Sequence, residues 1–206
     1  MVRWSRQVDE RGQVVISDID CWSLTMHDDG SLYVSDYKKD EVRQWKKGET
    51  QGTVVAGGNG KGNQLNQFDF PTFLFVDHNH TLYVSDADNH RVMKWTPGAK
   101  EGVVVAGGNG KGDQTTQLLC PEKLVVDQFG QIYVADFDNH RIMRWRERAK
   151  QGVVIVGGDG KGQQANQLAK PVGFSFDSTR VLYVADRDNH RIQKFEIDKS
   201  VNRLMK

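Results

Sequence analysis

The sequence predicts an all-β protein whose four-stranded antiparallel sheets repeat along the chain as the blades of a β-propeller. Three observations carry this prediction. Asp36, Asp86, Asp136 and Asp186 recur every 50 residues, as do Pro71, Pro121 and Pro171, and Trp45, Trp95, Trp145 and Phe195. So strict a period means one supersecondary unit stacked on copies of itself. Within each unit the apolar segments are short, rich in Val and aromatics, and bounded by turn residues, as strands are. No segment sustains a 3.6-residue period and Gly is abundant in the links, which sets helical repeats aside.

The third copy shows the elements in order. "EKLVVD" is a first strand, "QFG" a turn, "QIYVAD" a second strand, "FDNH" a turn, "RIMRW" a third strand, "RERAKQ" a link and "GVVIVGG" a fourth strand. Strands of about five residues with polar turns make a four-stranded antiparallel sheet. The chain opens in mid-blade: "VRW" reads as the end of a third strand and "GQVVIS" as a fourth, while the chain ends after the third strand "RIQKFEID". One propeller domain over 1–206 is expected, with closing strands in 1–17, blade 1 in 18–67, blade 2 in 68–117, blade 3 in 118–167 and an incomplete blade 4 in 168–200. Two arrangements fit this phase. In one, the N-terminal fourth strand completes the last blade of a four-bladed ring. In the other, the chain is a truncated part of a five- or six-bladed ring.

Bulk properties narrow the function classes. There are 28 Lys and Arg against 27 Asp and Glu, so no whole-molecule field favours DNA or a membrane surface. No run of 18 apolar residues occurs and "MVRWSRQVDE" has no signal-peptide core, from which a cytoplasmic protein is expected. Cys21 and Cys120 sit beside the repeat's proline position in blades two apart, which argues against a disulfide and fits a reduced compartment.

"VSDADNHRVMKW" invites a metal or catalytic reading, with Asp86, Asp88 and His90 on alternate positions. An EF-hand loop would need Gly at the sixth position and Glu at the twelfth; Arg91 and Pro97 stand there. The structural reading is a joint. Asp86 ends the second strand and accepts backbone N–H groups of the turn, Asn89 supplies a left-handed residue, and Arg91 pairs with an aspartate. The same roles fall to Asp136, Asn139 and Arg141, and to Asp186, Asn189 and Arg191. Tyr33, Tyr83, Tyr133 and Tyr183, with the Trp/Phe column, read as packing between blades.

"YVSDADNHRVMKW", "YVADFDNHRIMRW" and "YVADRDNHRIQKF", each preceded by an apolar strand ending in Asp, resemble NHL repeats. The resemblance runs from about residue 20 to 196. The leucine of the family name is replaced by Arg91, Arg141 and Arg191, and the first copy departs further, with Lys39, Asp40 and Glu41 in place of Asn-His-Arg. The resemblance implies a β-propeller. It also implies roles known in the family: substrate selection beside RING-type ubiquitin ligase segments, or recognition of short single-stranded RNA.

Strand alternation puts the second-to-third-strand turns on the same side as the links between blades. That face is expected to carry Lys61, Lys111 and Lys161 of three Gly-x-Gly-Lys-Gly loops, together with His90, His140, His190, Gln67, Gln117 and Gln167. A P-loop would need Lys followed by Ser or Thr and then a helix, and Gly62 and its counterparts follow instead. Glycine and lysine here also serve a long, solvated connection. On the opposite face, His78 and His80 form an H-x-H without a third ligand in the other copies and read as solvated loop residues.

Catalysis needs different groups converging on one point, and the innermost strands "WSLTM", "TFLFV", "EKLVV" and "VGFSF" offer only Glu122 and Lys123. Histidine-held zinc and calcium-bound carboxylates, which the resemblance associates with lyases and hydrolases of this fold, have no matching set, so a metal-dependent lyase or hydrolase is disfavoured. No cofactor and no metal is expected. The leading expectation is a non-catalytic binding module for a protein or peptide, with Lys61, Lys111, Lys161, His90, His140, His190, Glu122 and Lys123 as contact residues. Single-stranded RNA on the same face is the alternative. It requires a positive groove with exposed rings, and Asp88, Asp138 and Asp188 dilute the charge.

Overall fold

A computed structural model of the chain describes residues 2–3 and 13–197. The strands run β1 (Val2–Arg3), β2 (Gln13–Val14), β3 (Cys21–Met26), β4 (Leu32–Asp36), β5 (Glu41–Trp45), β6 (Thr53–Gly57), β7 (Pro71–Val76), β8 (Leu82–Asp86), β9 (Arg91–Trp95), β10 (Val103–Gly107), β11 (Pro121–Val126), β12 (Ile132–Asp136), β13 (Arg141–Trp145), β14 (Val153–Gly157), β15 (Pro171–Phe176), β16 (Val181–Asp186) and β17 (Arg191–Glu196). They form three four-stranded antiparallel sheets, β3–β6, β7–β10 and β11–β14, and a three-stranded sheet, β15–β17. These are the blades expected from the 50-residue period.

Each blade begins at the repeat's position 21, 71, 121 or 171, three of them proline, a residue suited to the first position of a strand because it donates no ladder bond. Inner strands pack in series, β3 on β7, β7 on β11 and β11 on β15. The core lies between blades, where the second and third strands of one blade meet the first and second strands of the next. Tyr83, Val92 and Ala106 thus share a cluster with Leu124, Ile132, Val134 and Trp145.

Burial makes the two ends of this series unlike its interior. Val42, Val92 and Ile142 are fully buried, whereas Ile192 at the same repeat position is 69% exposed. Leu24 and Met26 on β3 are also exposed, while Leu74 and Leu124 are buried. Ring closure by the N-terminal segment, one of the two expected arrangements, is not seen among the described residues, and most of 1–12 lies outside them. Among the described residues β2 pairs with β1, Val2 opposite Val14, and the last sheet holds β15–β17 alone.

Two details of the joint differ from expectation. The left-handed residue of the turn is not the asparagine but its successor: His90, His140 and His190 have φ of 55°, 56° and 52°, and Asp40 has 51°. Asn89 instead donates its side-chain amide to Asp86 and to the Gly62 carbonyl. Nor does Asp86 accept the N–H groups of its own turn. Its Oδ1 takes the N–H of Asp69, 2.8 Å away in the link from the preceding blade.

Candidate interaction face

The second-to-third-strand turns and the links between blades do share one face, and the joint holds them together. Arg91 donates Nε to Asp86 Oδ2 at 2.7 Å and spreads its other nitrogens over the carbonyls of Asn63, Gln64 and Gln67. Arg141 does the same with Asp136 and the carbonyls of Asp113, Gln114 and Gln117. Arg191 repeats it with Asp186, Gln163, Gln164 and Gln167. Each arginine therefore staples the Gly-Lys-Gly loop in front of its own blade. This explains the divergent first copy: residues 13–20 contain no such loop, and Glu41 in the arginine's place pairs with Arg43 instead.

The carboxylates of these joints are buried. Burial pushes Asp86 up to about 6, opposed by the Asp69 N–H, Arg91 and Asn89, so it is ionised at neutral pH. Burial raises Asp136 as well, against Asn139, the Leu119 N–H and Arg141. At the less covered Asp186, burial also acts upward but the Ala169 N–H, Asn189, Arg191 and Gln193 outweigh it, and the carboxyl lies below its usual range.

Histidine at the left-handed position links one blade to the next. His90 Nδ1 accepts the Cys120 N–H at 3.3 Å and His140 Nδ1 accepts the Lys170 N–H at 3.2 Å. In the first copy Asp40 Oδ1 does the same for the Phe70 N–H at 3.0 Å. Acceptor chemistry is what the position requires, which is why aspartate substitutes for histidine. His190, in the last sheet, is exposed. The glutamines lock the loops internally, Gln67, Gln117 and Gln167 each donating to the carbonyl eight residues earlier, that of Asn59, Asn109 or Asp159.

The lysine rim is largely paired. Lys61 meets Asp69 at 2.8 Å, Lys161 meets Asp188 at 3.0 Å, Lys170 meets Asp138 at 3.2 Å and Lys38 meets Asp20 at 3.0 Å. Lys111 is exposed, with no salt bridge to it among the described residues. Exposed ion pairs of this kind contribute little to stability, but they leave the rim close to neutral.

Side chains of a few repeat columns converge on this face, Trp22 and Glu122 from one, Tyr37, Phe137 and Arg187 from a second, Phe70 and Lys170 from a third, a convergence that strand patterning did not reveal. Trp22, 45% exposed on the innermost strand of blade 1, packs edge-on against Tyr37 and Phe70 with ring centroids 5.9 and 5.0 Å away. Across from it, Lys170 and Arg187 lie over the Phe137 ring at 5.1 and 4.6 Å, and Lys123 lies over Phe73 at 5.9 Å. Glu122 joins the two halves, taking a hydrogen bond from Trp22 and feeling the charge of Arg187. Its Oε2 is buried and has no hydrogen-bond partner. Burial likewise pushes the Cys120 thiol, beside Asp138, up to about 12, so it stays protonated.

Burial pushes the Glu122 carboxyl up to about 7. A carboxyl raised by folding contributes stability that is fully present below its unfolded pKa and is lost as the pH rises through the folded one. Glu122→Gln should therefore unfold at higher urea than the unaltered chain at pH 8, by roughly 1–3 kcal/mol. The gap should narrow as the pH falls toward 5. Equal stability at pH 8 would mean that the carboxylate is solvated.

The fold and this face define a propeller-type protein, and comparison with solved structures agrees. An auxiliary nutrient binding protein of Bacteroides thetaiotaomicron superposes with a TM-score of 0.62 at 16% identity, over 82% of this chain and 46% of that one. A virginiamycin B lyase of Staphylococcus aureus gives 0.57 at 13%, over 93% and 61%. A chain of a nidogen/laminin complex gives 0.61 at 17%, over 86% and 58%. The chain thus spans about half the length of such structures, and at these identities the likeness is one of fold. No curated protein matches it. Residues 118–144 and 168–195 match the NHL repeat family, so two of the blades are NHL repeats in a propeller-type fold.

Proposed function

We propose that the chain is a non-catalytic interaction module that grips a protein or peptide on the cluster of Trp22, Tyr37, Phe70, Phe137, Arg187 and Glu122. The observation that carries this reading is the exposed Trp22 cluster beside a buried carboxylate oxygen that lacks a donor. Tryptophan, tyrosine and arginine in a partly desolvated pocket are the residues on which protein interfaces concentrate their energy. The half-buried Glu122 carboxylate beside these rings favours a cationic group, so the occupant in this proposal carries a lysine, an arginine or a free amino terminus beside an apolar side chain. The candidate contacts at Lys61, Lys111, Lys161, His90, His140, His190 and Lys123 form the rim in this proposal. A cytoplasmic setting is part of it, as is substrate selection for a ubiquitin ligase whose catalytic segment is supplied from outside this chain.

Exposed rings at the centre also favour a second reading, a stacking platform for single-stranded RNA. The pairing of Lys61, Lys161, Lys170 and Lys38 with carboxylates weighs against it, because RNA affinity rests on unpaired cations that displace counterions. Anisotropy titration with a degenerate single-stranded RNA pool at two salt concentrations separates the readings. The interaction-module reading expects no tight binding at low salt; tight binding that weakens steeply with salt would replace it.

A further inference from the structure

A second cluster lies on the opposite face, where the first-to-second-strand hairpins of blades 1 and 2 meet. In three blades the residue ending the first strand is aspartate, and it caps its own hairpin. Asp77 Oδ1 accepts the N–H groups of Asn79 and Thr81, Asp127 Oδ1 those of Phe129 and Gln131, and Asp177 Oδ1 those of Thr179 and Val181. Blade 1 has His27 there, and the capping of Ser31 passes to Asp29 Oδ1 at 2.8 Å. At the hairpin's left-handed position blades 1 and 3 have Gly30 and Gly130, whereas blades 2 and 4 have His80 and Arg180 at φ of 60° and 67°, a conformation costly for a residue with a β-carbon. The departures at His27 and His80 bring side chains to one point. The His27 and His80 rings stack with centroids 3.6 Å apart, and the Asp29 carboxylate lies 2.9 Å from His27 Nδ1 and 3.6 Å from His80 Nε2. His80, read from sequence as a solvated loop residue, is in fact half-buried.

The outer nitrogens decide what this cluster is. His27 Nε2 faces the His78 carbonyl at 3.4 Å, which only a donor satisfies, and the Asp29 N–H points at Nδ1 from 3.3 Å. His27 Nδ1 therefore carries the lone pair, which accepts the Asp29 N–H here and would have to turn from it to an ion on binding. His80 Nδ1 lies 2.9 Å from the Tyr33 hydroxyl, whose oxygen also takes the Gln44 amide at 2.8 Å. In the tautomer with Nδ1 as the donor His80 Nε2 presents a lone pair too, whereas with the Tyr33 hydroxyl as the donor Nε2 carries the proton and faces Asp29. In the first of these tautomers two imidazole nitrogens and a carboxylate lie within 4.8 Å of one another, an acceptor set that a cation satisfies as a proton does. Tyr33, His78 and Gln44 supply the outer hydrogen bonds that fix ligand tautomers in metal sites.

We propose that His27, Asp29 and His80 bind a divalent transition-metal ion of the zinc type, through His27 Nδ1, His80 Nε2 and the carboxylate, and so clamp blade 1 to blade 2. Two imidazoles and a carboxylate with water completing the shell suit Zn2+ or Co2+, whereas Ca2+ and Mg2+ want all-oxygen shells. The test is calorimetric titration of the untagged chain with ZnCl2, with Co2+ absorption as a readout of coordination geometry. Two variants restore the residues of sister blades and so keep the hairpins foldable: His80→Gly relieves the left-handed backbone, and Asp29→Asn copies Asn79. The unaltered chain should bind one ion and melt at higher temperature with zinc. His80→Gly should keep its circular dichroism yet lose more than about 100-fold in affinity, beyond what outer-shell changes cost, and Asp29→Asn should lose the zinc-dependent rise in Tm. His78→Ala should bind as before, since only the His78 carbonyl takes part. Absence of heat and of a Tm shift with excess zinc, or unchanged affinity in His80→Gly, would overturn the proposal.

Discussion

Asp136→Ala is expected to lower the unfolding free energy by about 3–5 kcal/mol, the range for removing one partner of a buried ion pair. Asp136 is fully buried and the Arg141 side chain is 6% exposed. The carboxylate takes the Leu119 N–H at 2.7 Å, the Asn139 amide at 2.9 Å and Arg141 Nε at 2.7 Å. Its loss strands a guanidinium and a backbone N–H at once and frees the link over residues 113–117. Asp186→Ala removes an equivalent carboxylate, but the Arg191 side chain is 31% exposed, so water compensates part of the loss and the effect should be clearly smaller. Urea denaturation of the two variants checks both statements. Equal losses would show that the joint acts through local turn geometry and not through burial of the pair.

Ile142→Ala should cost about 2–5 kcal/mol, as large-to-small changes in a packed core do. Ile192→Ala, one period later, should stay within about 0.5 kcal/mol, as exposed substitutions do. The side chains are identical in type and position; they differ in that a following blade covers one of them. Ile142 lies in a cluster with Leu168, Phe174 and Leu182, whereas Ile192 is 69% exposed. A large loss on changing Ile192 would show that another surface covers the last sheet in solution.

What could be read from the sequence was what repeats. The 50-residue period locates strands, links and joints, and strand alternation alone places the turns beside the Gly-Lys-Gly loops. Side-chain roles inside the joint were less legible, because Asn89 and His90 both tolerate left-handed backbone and only the accepted Cys120 N–H shows which one uses it. Convergence across blades was not legible at all. Trp22 and Glu122 share one repeat column, Tyr37 and Phe70 stand in two others, and only the fold brings these columns together; His80 likewise finds its neighbours some 50 residues away in another hairpin. The signal for the second cluster was nonetheless present in the repeat columns, where His27 interrupts a run of aspartates and His80 stands at a position glycine holds in two blades.

Docking of a polypeptide on the Trp22–Glu122 cluster is the central claim about function. The most direct measurement is titration of display-selected peptides against the unaltered chain, Trp22→Ala and Glu122→Gln, followed by anisotropy at two salt concentrations. Selected peptides should carry a basic group beside an apolar side chain, and their affinity should vary little with salt. Trp22→Ala should weaken binding by about 30-fold, a loss of ~2 kcal/mol typical of an interface hot spot, and Glu122→Gln should reduce the preference for the basic group. Peptides that bind equally well to all three proteins would place the binding surface elsewhere and contradict the account.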